Sequence, residues 1–170
     1  MKDDALWYEA AQVVGITNAL NVAADGLAAA GMSAVDPATA PAPTRETFDD
    51  IRTFYGGAAE VPAAFRLIAH DPSYLADVWA ATRHAFTDHR LARRLKEALA
   101  FAVSLTTRSP FGSRFHLAEM RRLGVSERGV LEVVGVTQMF SSYTKIADTL
   151  ALEPDMGDIA PVDRSPAPGG

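Results

Sequence analysis

Four residues have types and spacing that could do chemistry: Glu97, Ser109, Gly112 and His116, all within Leu91–Leu123, LARRLKEALAFAVSLTTRSPFGSRFHLAEMRRL. A carboxylate beside an imidazole orients the ring, holds a proton and raises the ring's basicity. In that pair His116 would act as general base or acid and Glu97 as its orienter. The plainer readings are a core histidine between Phe115 and Leu117, and a Glu97 that faces solvent or pairs with Arg93 four residues earlier. Ser109 precedes Pro110, a helix cap followed by a favourable first residue. A serine nucleophile needs an adjacent base, and His116 lies seven residues on, two turns away, which makes a direct pair doubtful. Gly112 has no side chain, which opens space for a ligand or for a neighbour's side chain. Arg108 and Arg114 flank the break; either could grip a substrate carboxylate through a forked contact, or cap carbonyls and pair on the surface. Tyr143 and Lys145, further along the chain, could face the same pocket.

For Glu97 and His116 to meet, the chain must reverse at Thr107-Arg108-Ser109-Pro110 between two amphipathic helices. The remaining elements also read as helices. Asp3 or Asp4 can cap a first helix to about Ala30, with Leu6, Val13, Val14, Ala24 and Leu27 on its apolar face and Gly31 as its stop. Residues 32–43 are small and Pro-rich, a loop. Thr44 is the next expected cap, Gly56-Gly57 the next stop, and Pro62 opens a short helix to His70. Asp71-Pro72 starts another, Asp88 can cap the helix that carries Glu97, and Ser126 caps a last one running to about Leu152. Residues 153–170 read as a disordered Pro/Gly-rich tail. No segment keeps a period of two, so the fold class is all-α, one helical domain over residues 1–152.

The spacing of Glu97, Ser109, Gly112 and His116 resembles the core motif of the alkylhydroperoxidase D / carboxymuconolactone decarboxylase superfamily. In the peroxidase branch, cysteines stand where this chain has Ser109 and Gly112, and the decarboxylase branch does without the pair. The segment Gly57–Pro72, the stretch Leu123–Ser126 and Ile146-Ala147-Asp148 extend the resemblance. It implies an AhpD-like orthogonal helical bundle and a homo-oligomer, trimer or hexamer. It also implies a pocket for a small-molecule ligand, an organic acid or lactone if the chain is an enzyme. A non-catalytic relative that kept the fold is the competing reading. The chain has no cysteine, so thiol catalysis, disulfides and thiolate metal sites are excluded.

Composition narrows the partners. A formal charge of −5 argues against nucleic acid. The basic run Arg90, Arg93, Arg94, Lys96 reads as a solvated helix face. No run reaches the length of a membrane span and the N-terminus lacks a signal-peptide pattern, so the expectation is a cytoplasmic protein. No cofactor and no metal is expected. His84 and His89 would stand about 140° apart on a continuous helix and would not share a face. Gln12–Thr17 is echoed by Glu132–Thr137, an expected remnant of a duplicated helical unit.

Overall fold

The structure is a computed structural model that describes residues 4–57 and 60–151. It contains α1 (Asp4–Ala29), α2 (Ala42–Phe54), α3 (Ala63–Ile68), α4 (Pro72–Phe86), α5 (Arg93–Thr106), α6 (Pro110–Arg122) and α7 (Glu127–Thr149). No strand occurs among the described residues, in keeping with the all-α expectation. The chain resolves into two compact units, residues 1–137 and 138–170. The expected tail, residues 153–170, lies outside the described residues.

Most helix ends follow from local side-chain chemistry. Asp71 Oδ1 accepts from the backbone N–H of Ser73 and Tyr74 at 3.0 and 3.1 Å, with Pro72 at the first helical position. Ser126 Oγ accepts from Gly129 N at 3.2 Å and starts α7. Gly31 and Gly124 adopt φ of +75° and +79°, the left-handed conformation that ends a helix cheaply only at glycine. Two expected caps differ. Helix α2 begins at Ala42 after Pro41, so Thr44 sits inside its first turn, buried, with no partner for its hydroxyl. Asp88 does accept from Arg93 N, but it does so from the loop, and Ala92 holds the capping position.

Helix α1 packs against α3, α4, α5 and α6. Its buried line mixes Val13, Leu20 and Ala24 with Glu9, Thr17 and Asn21, whereas Leu6 and Val14 face outward, contrary to the sequence reading. One apolar cluster gathers Phe48, Ile51, Tyr55, Phe65, Leu75 and Trp79, with Phe65 and Trp79 edge to face at 5.6 Å. A second joins Val13 to Ala85, Phe86 and Ala100. The echoed segments share a register: Val13 and Thr17 are buried on α1, and Val133 and Thr137 are the half-buried residues of their segment on α7.

The basic run is only partly a solvated face: Arg90 and Arg94 are exposed, Arg93 is half-buried and Lys96 turns inward. Lys96 is fully buried; its ammonium meets Glu9 Oε1 and the Thr87 carbonyl, each at 2.5 Å. Glu9 also accepts from the N–H of Arg90 and Leu91, which fastens α1 to the start of α5. Burial pushes the Glu9 carboxyl up, but Lys96 and the two backbone donors outweigh it and hold the pKa below the ordinary value.

Candidate functional site

Helices α5 and α6 form the reversal, with Arg108 at φ +56° in the turn. Ser109 Oγ accepts from Gly112 N at 2.9 Å and opens α6. The return brings Glu97 and His116 together: Oε2 of Glu97 lies 2.8 Å from Nδ1 of His116. Glu97 is 0% exposed and His116 3%. Four surface cavities, of about 260 to 640 Å³, are lined by other residues. Phe86 stacks parallel on the imidazole at 5.9 Å, and Phe115 meets it edge-on at 5.0 Å.

The pair is the end of a longer chain of alternating charge. Glu97 Oε1 accepts from Arg93 Nε at 3.0 Å, Arg93 Nη2 stands 3.6 Å from Glu119 Oε2, and Glu119 accepts from Arg122 at 2.7 Å. The helical spacings account for it. Arg93 and Glu97 are one turn apart on α5, and His116, Glu119 and Arg122 recur every third residue on α6, so the two stripes face each other. The Arg93 guanidinium lies 4.0 Å from the centre of the Phe54 ring. Its Nη2 is buried without a hydrogen bond. Tyr55 lines the same region; burial, then the Glu97 carboxylate, push its phenol well above the usual tyrosine range against the opposing pull of Arg93. Arg93, Glu119 and Tyr55 were not singled out from sequence as site residues. The signal for the first two was present as charges at helical spacing around Glu97 and His116.

A carboxylate only accepts, so the imidazole donates from Nδ1, and in the neutral ring Nε2 is then the basic atom. The arrangement can therefore take a proton at Nε2 and stabilise the imidazolium that results.

The other expected site residues fall elsewhere. The space at Gly112 is filled: a Cβ there would stand 2.1 Å from Asn21 Oδ1 and 2.3 Å from Ser104 Oγ. Asn21 Nδ2 donates to Ser104 Oγ at 3.0 Å, so a neighbour's side chain, not a ligand, takes the room. Ser109 is 3% exposed and is engaged as a cap, while His116 Nδ1 is engaged by Glu97; the two make no hydrogen bond. Arg108 is exposed and borders a cavity of about 260 Å³ with Asn18 and Asp25. Arg114 is exposed and outside the charge network. Tyr143 belongs to the second unit and is 60% exposed. His84 and His89 do meet, ring centres 5.7 Å apart, because α4 ends at Phe86 and the chain bends between them. No group of three metal-ligating side chains occurs among the described residues. Nor is any described helix long and apolar enough to cross a membrane.

A model of the carboxymuconolactone decarboxylase family matches residues 72–152, which span α4 to α7 and include both Glu97 and His116. The crystal structure of the alkylhydroperoxidase AhpD core from Rhodospirillum rubrum ATCC 11170 is similar in fold. Its TM-score is 0.65 at 21% identity, over 70% of this chain and 88% of that one. No curated protein matches the chain. At that identity the structural likeness speaks for the fold, and the family match covers the helices that carry the buried pair. Residues 72–152 are thus similar to the carboxymuconolactone decarboxylase family, the fold is similar to the AhpD core, and the sequence holds no cysteine.

Proposed function

We propose that this chain binds a small organic acid or lactone and moves a proton on it with His116, held by Glu97, without thiol chemistry and without a cofactor. The observation that carries the reading is the 2.8 Å contact between Glu97 Oε2 and His116 Nδ1. Glu97, itself gripped by Arg93, fixes the ring through Nδ1 and leaves Nε2 for the substrate. His116 Nε2 would take a proton from a carbon beside the substrate carbonyl and return it elsewhere on the same molecule. The Arg93 Nη2 that lacks a hydrogen bond would receive the substrate's carboxylate. The pair is buried, so a substrate's entry would require neighbouring side chains to move.

The burial itself favours a second reading, a non-catalytic relative in which the charge chain only ties α5 to α6. Native mass spectrometry against a panel of small lactones and keto acids separates the two. The catalytic reading expects an adduct that His116→Gln loses, and proton exchange into the bound compound from deuterated water. No adduct in the wild type, or an adduct and exchange that both survive in His116→Gln, would overturn it.

The homo-oligomer implied by the family is proposed as well. It is supported by large apolar side chains left in solvent within the first unit: Trp7 is 73% exposed, Val22 66% and Leu131 71%.

A further inference from the structure

We propose that a groove between α2 and the Pro-rich loop, away from the Glu97–His116 pair, binds a small carboxylic acid with an apolar body. The groove has a volume of about 640 Å³, the size of a small-molecule site. Three arginines reach it from two helices: Arg45 and Arg52 from one face of α2, and Arg66 from α3.

Arg66 is held in place before any ligand arrives. Its Nε donates to the Val35 carbonyl at 3.1 Å, and Val35 N donates back to the Arg66 carbonyl at 3.0 Å. The Nε bond holds the guanidinium and the backbone bond holds the segment that carries it; the Nη groups make no hydrogen bond or ion pair among the described residues. A planar fork with its outer edge unspent fits a carboxylate through two parallel bonds. Arg45 is exposed and likewise has no ion pair among the described residues. Arg52 is already bound to Asp49.

The remaining lining selects among anions. Asp36, Asp49 and Glu60 balance the three arginines, so the rim offers no net positive field and an anion is held only through direct contact with an arginine. Pro37, Ala38 and Val61 supply an apolar wall for the body of the ligand. The chemistry recognised is therefore one carboxylate on a compact apolar frame. The groove is independent of the proton-transfer reading: either can fail while the other stands.

The test titrates the full chain with sodium benzoate at constant ionic strength and follows the arginine Nε–Hε resonances in a proton–nitrogen NMR spectrum. Benzamide serves as the uncharged counterpart and inorganic phosphate as an anion without an apolar body. Saturable shifts of Arg66 and Arg45 with benzoate are expected, with none from benzamide and weaker binding of phosphate. Arg45→Gln removes an exposed, unpaired side chain and should leave the fold intact while weakening benzoate roughly tenfold, the weight of one charge-assisted contact. Arg66→Lys, which keeps the charge and loses the fork, should weaken it as well. Binding that persists in His116→Gln, with the His116 ring signals of the wild type unmoved, separates this groove from the buried pair. The proposal is overturned by any of four results: no saturation with benzoate, equal response to benzamide, tighter binding of phosphate, or affinity unchanged in both arginine variants.

Discussion

Glu97 Oε2 lies 2.8 Å from His116 Nδ1, and this contact joins α5 to α6 inside the core rather than at a surface. Its other oxygen holds Arg93. Glu97→Gln would leave Arg93 beside a neutral amide with Glu119 as its remaining counter-charge, so the loss should fall below the about 3–5 kcal/mol of a fully broken buried pair. Chemical denaturation should show the midpoint falling accordingly, and an unchanged midpoint would contradict the described network. If the pair is catalytic, His116→Gln should lose turnover while keeping most of the stability. If it is structural, both variants should lose stability alone.

Gly112 is a packing glycine. Gly112→Ala drives a methyl into Asn21 Oδ1 and Ser104 Oγ, and overpacking of this kind costs about 1–3 kcal/mol. Asn21→Ala in the same chain removes the amide and should restore part of the loss. Melting curves of the single and double variants check this, and a Gly112→Ala protein as stable as the wild type would refute it.

Thiol-dependent hydroperoxide turnover should be absent, since attack and resolution each need a thiol and the chain has none. Putting cysteines at both Ser109 and Gly112 should yield no activity while Asn21 fills the space at 112. An assay with metal-free protein, an alkyl hydroperoxide and dithiothreitol decides it.

Acid should loosen the clasp of α1 on α5. The folded Glu9 pKa lies below its unfolded value, near 4.3 for a free glutamate. Its contribution is therefore full above that value and lost as pH falls through the folded pKa. Asp71 shares the direction, through the Ser73 hydroxyl and the Tyr74 N–H. Denaturation midpoints at pH 6 and below about pH 4 should diverge less in Glu9→Gln than in the wild type. An identical slope in both would remove Glu9 from the account.

Tyr55 should titrate late. Its folded pKa is raised above the unfolded value near 10, so its stabilisation is complete below that pH and is lost as pH climbs through the folded value. Phenolate absorbance should show one of the four tyrosines ionising only together with alkaline unfolding, and Tyr55→Phe should delete that step. A Tyr55 that ionises while the far-ultraviolet dichroism stays native would defeat this.

What the sequence made legible was local. Asp71-Pro72 and Ser109-Pro110 announce their helices by caps that need no tertiary partner. The frame of Glu97 and His116 is a spacing on two adjacent helices. What stayed hidden was decided across long separations. Asn21 meets Ser104 over 83 residues and Glu9 meets Leu91 over 82, and nothing near Asn21 or Glu9 marks them as interior. The inward face of α1 carries both, with Thr17, while Trp7, Tyr8 and Val22 face out, so an apolar periodicity points to the wrong side. Lys96 was misread for the same reason: in a basic run, only the position of Glu9 distinguishes a buried ammonium from a solvated one.

The clasp of Glu9 on Lys96 also sets an order of events during synthesis. Helix α1 leaves the ribosome before every helix it packs against, and its carboxylate waits for an ammonium encoded far downstream. At about 5–20 residues per second, the intervening chain takes roughly 4–17 s to appear. Within that interval α1 can dock only on α3 and α4, and Glu9 waits without its ammonium. The glutamate and asparagine that obscure its pattern on paper thus tie the completion of α1 docking to the arrival of α5, whose Lys96 and Ser104 they meet.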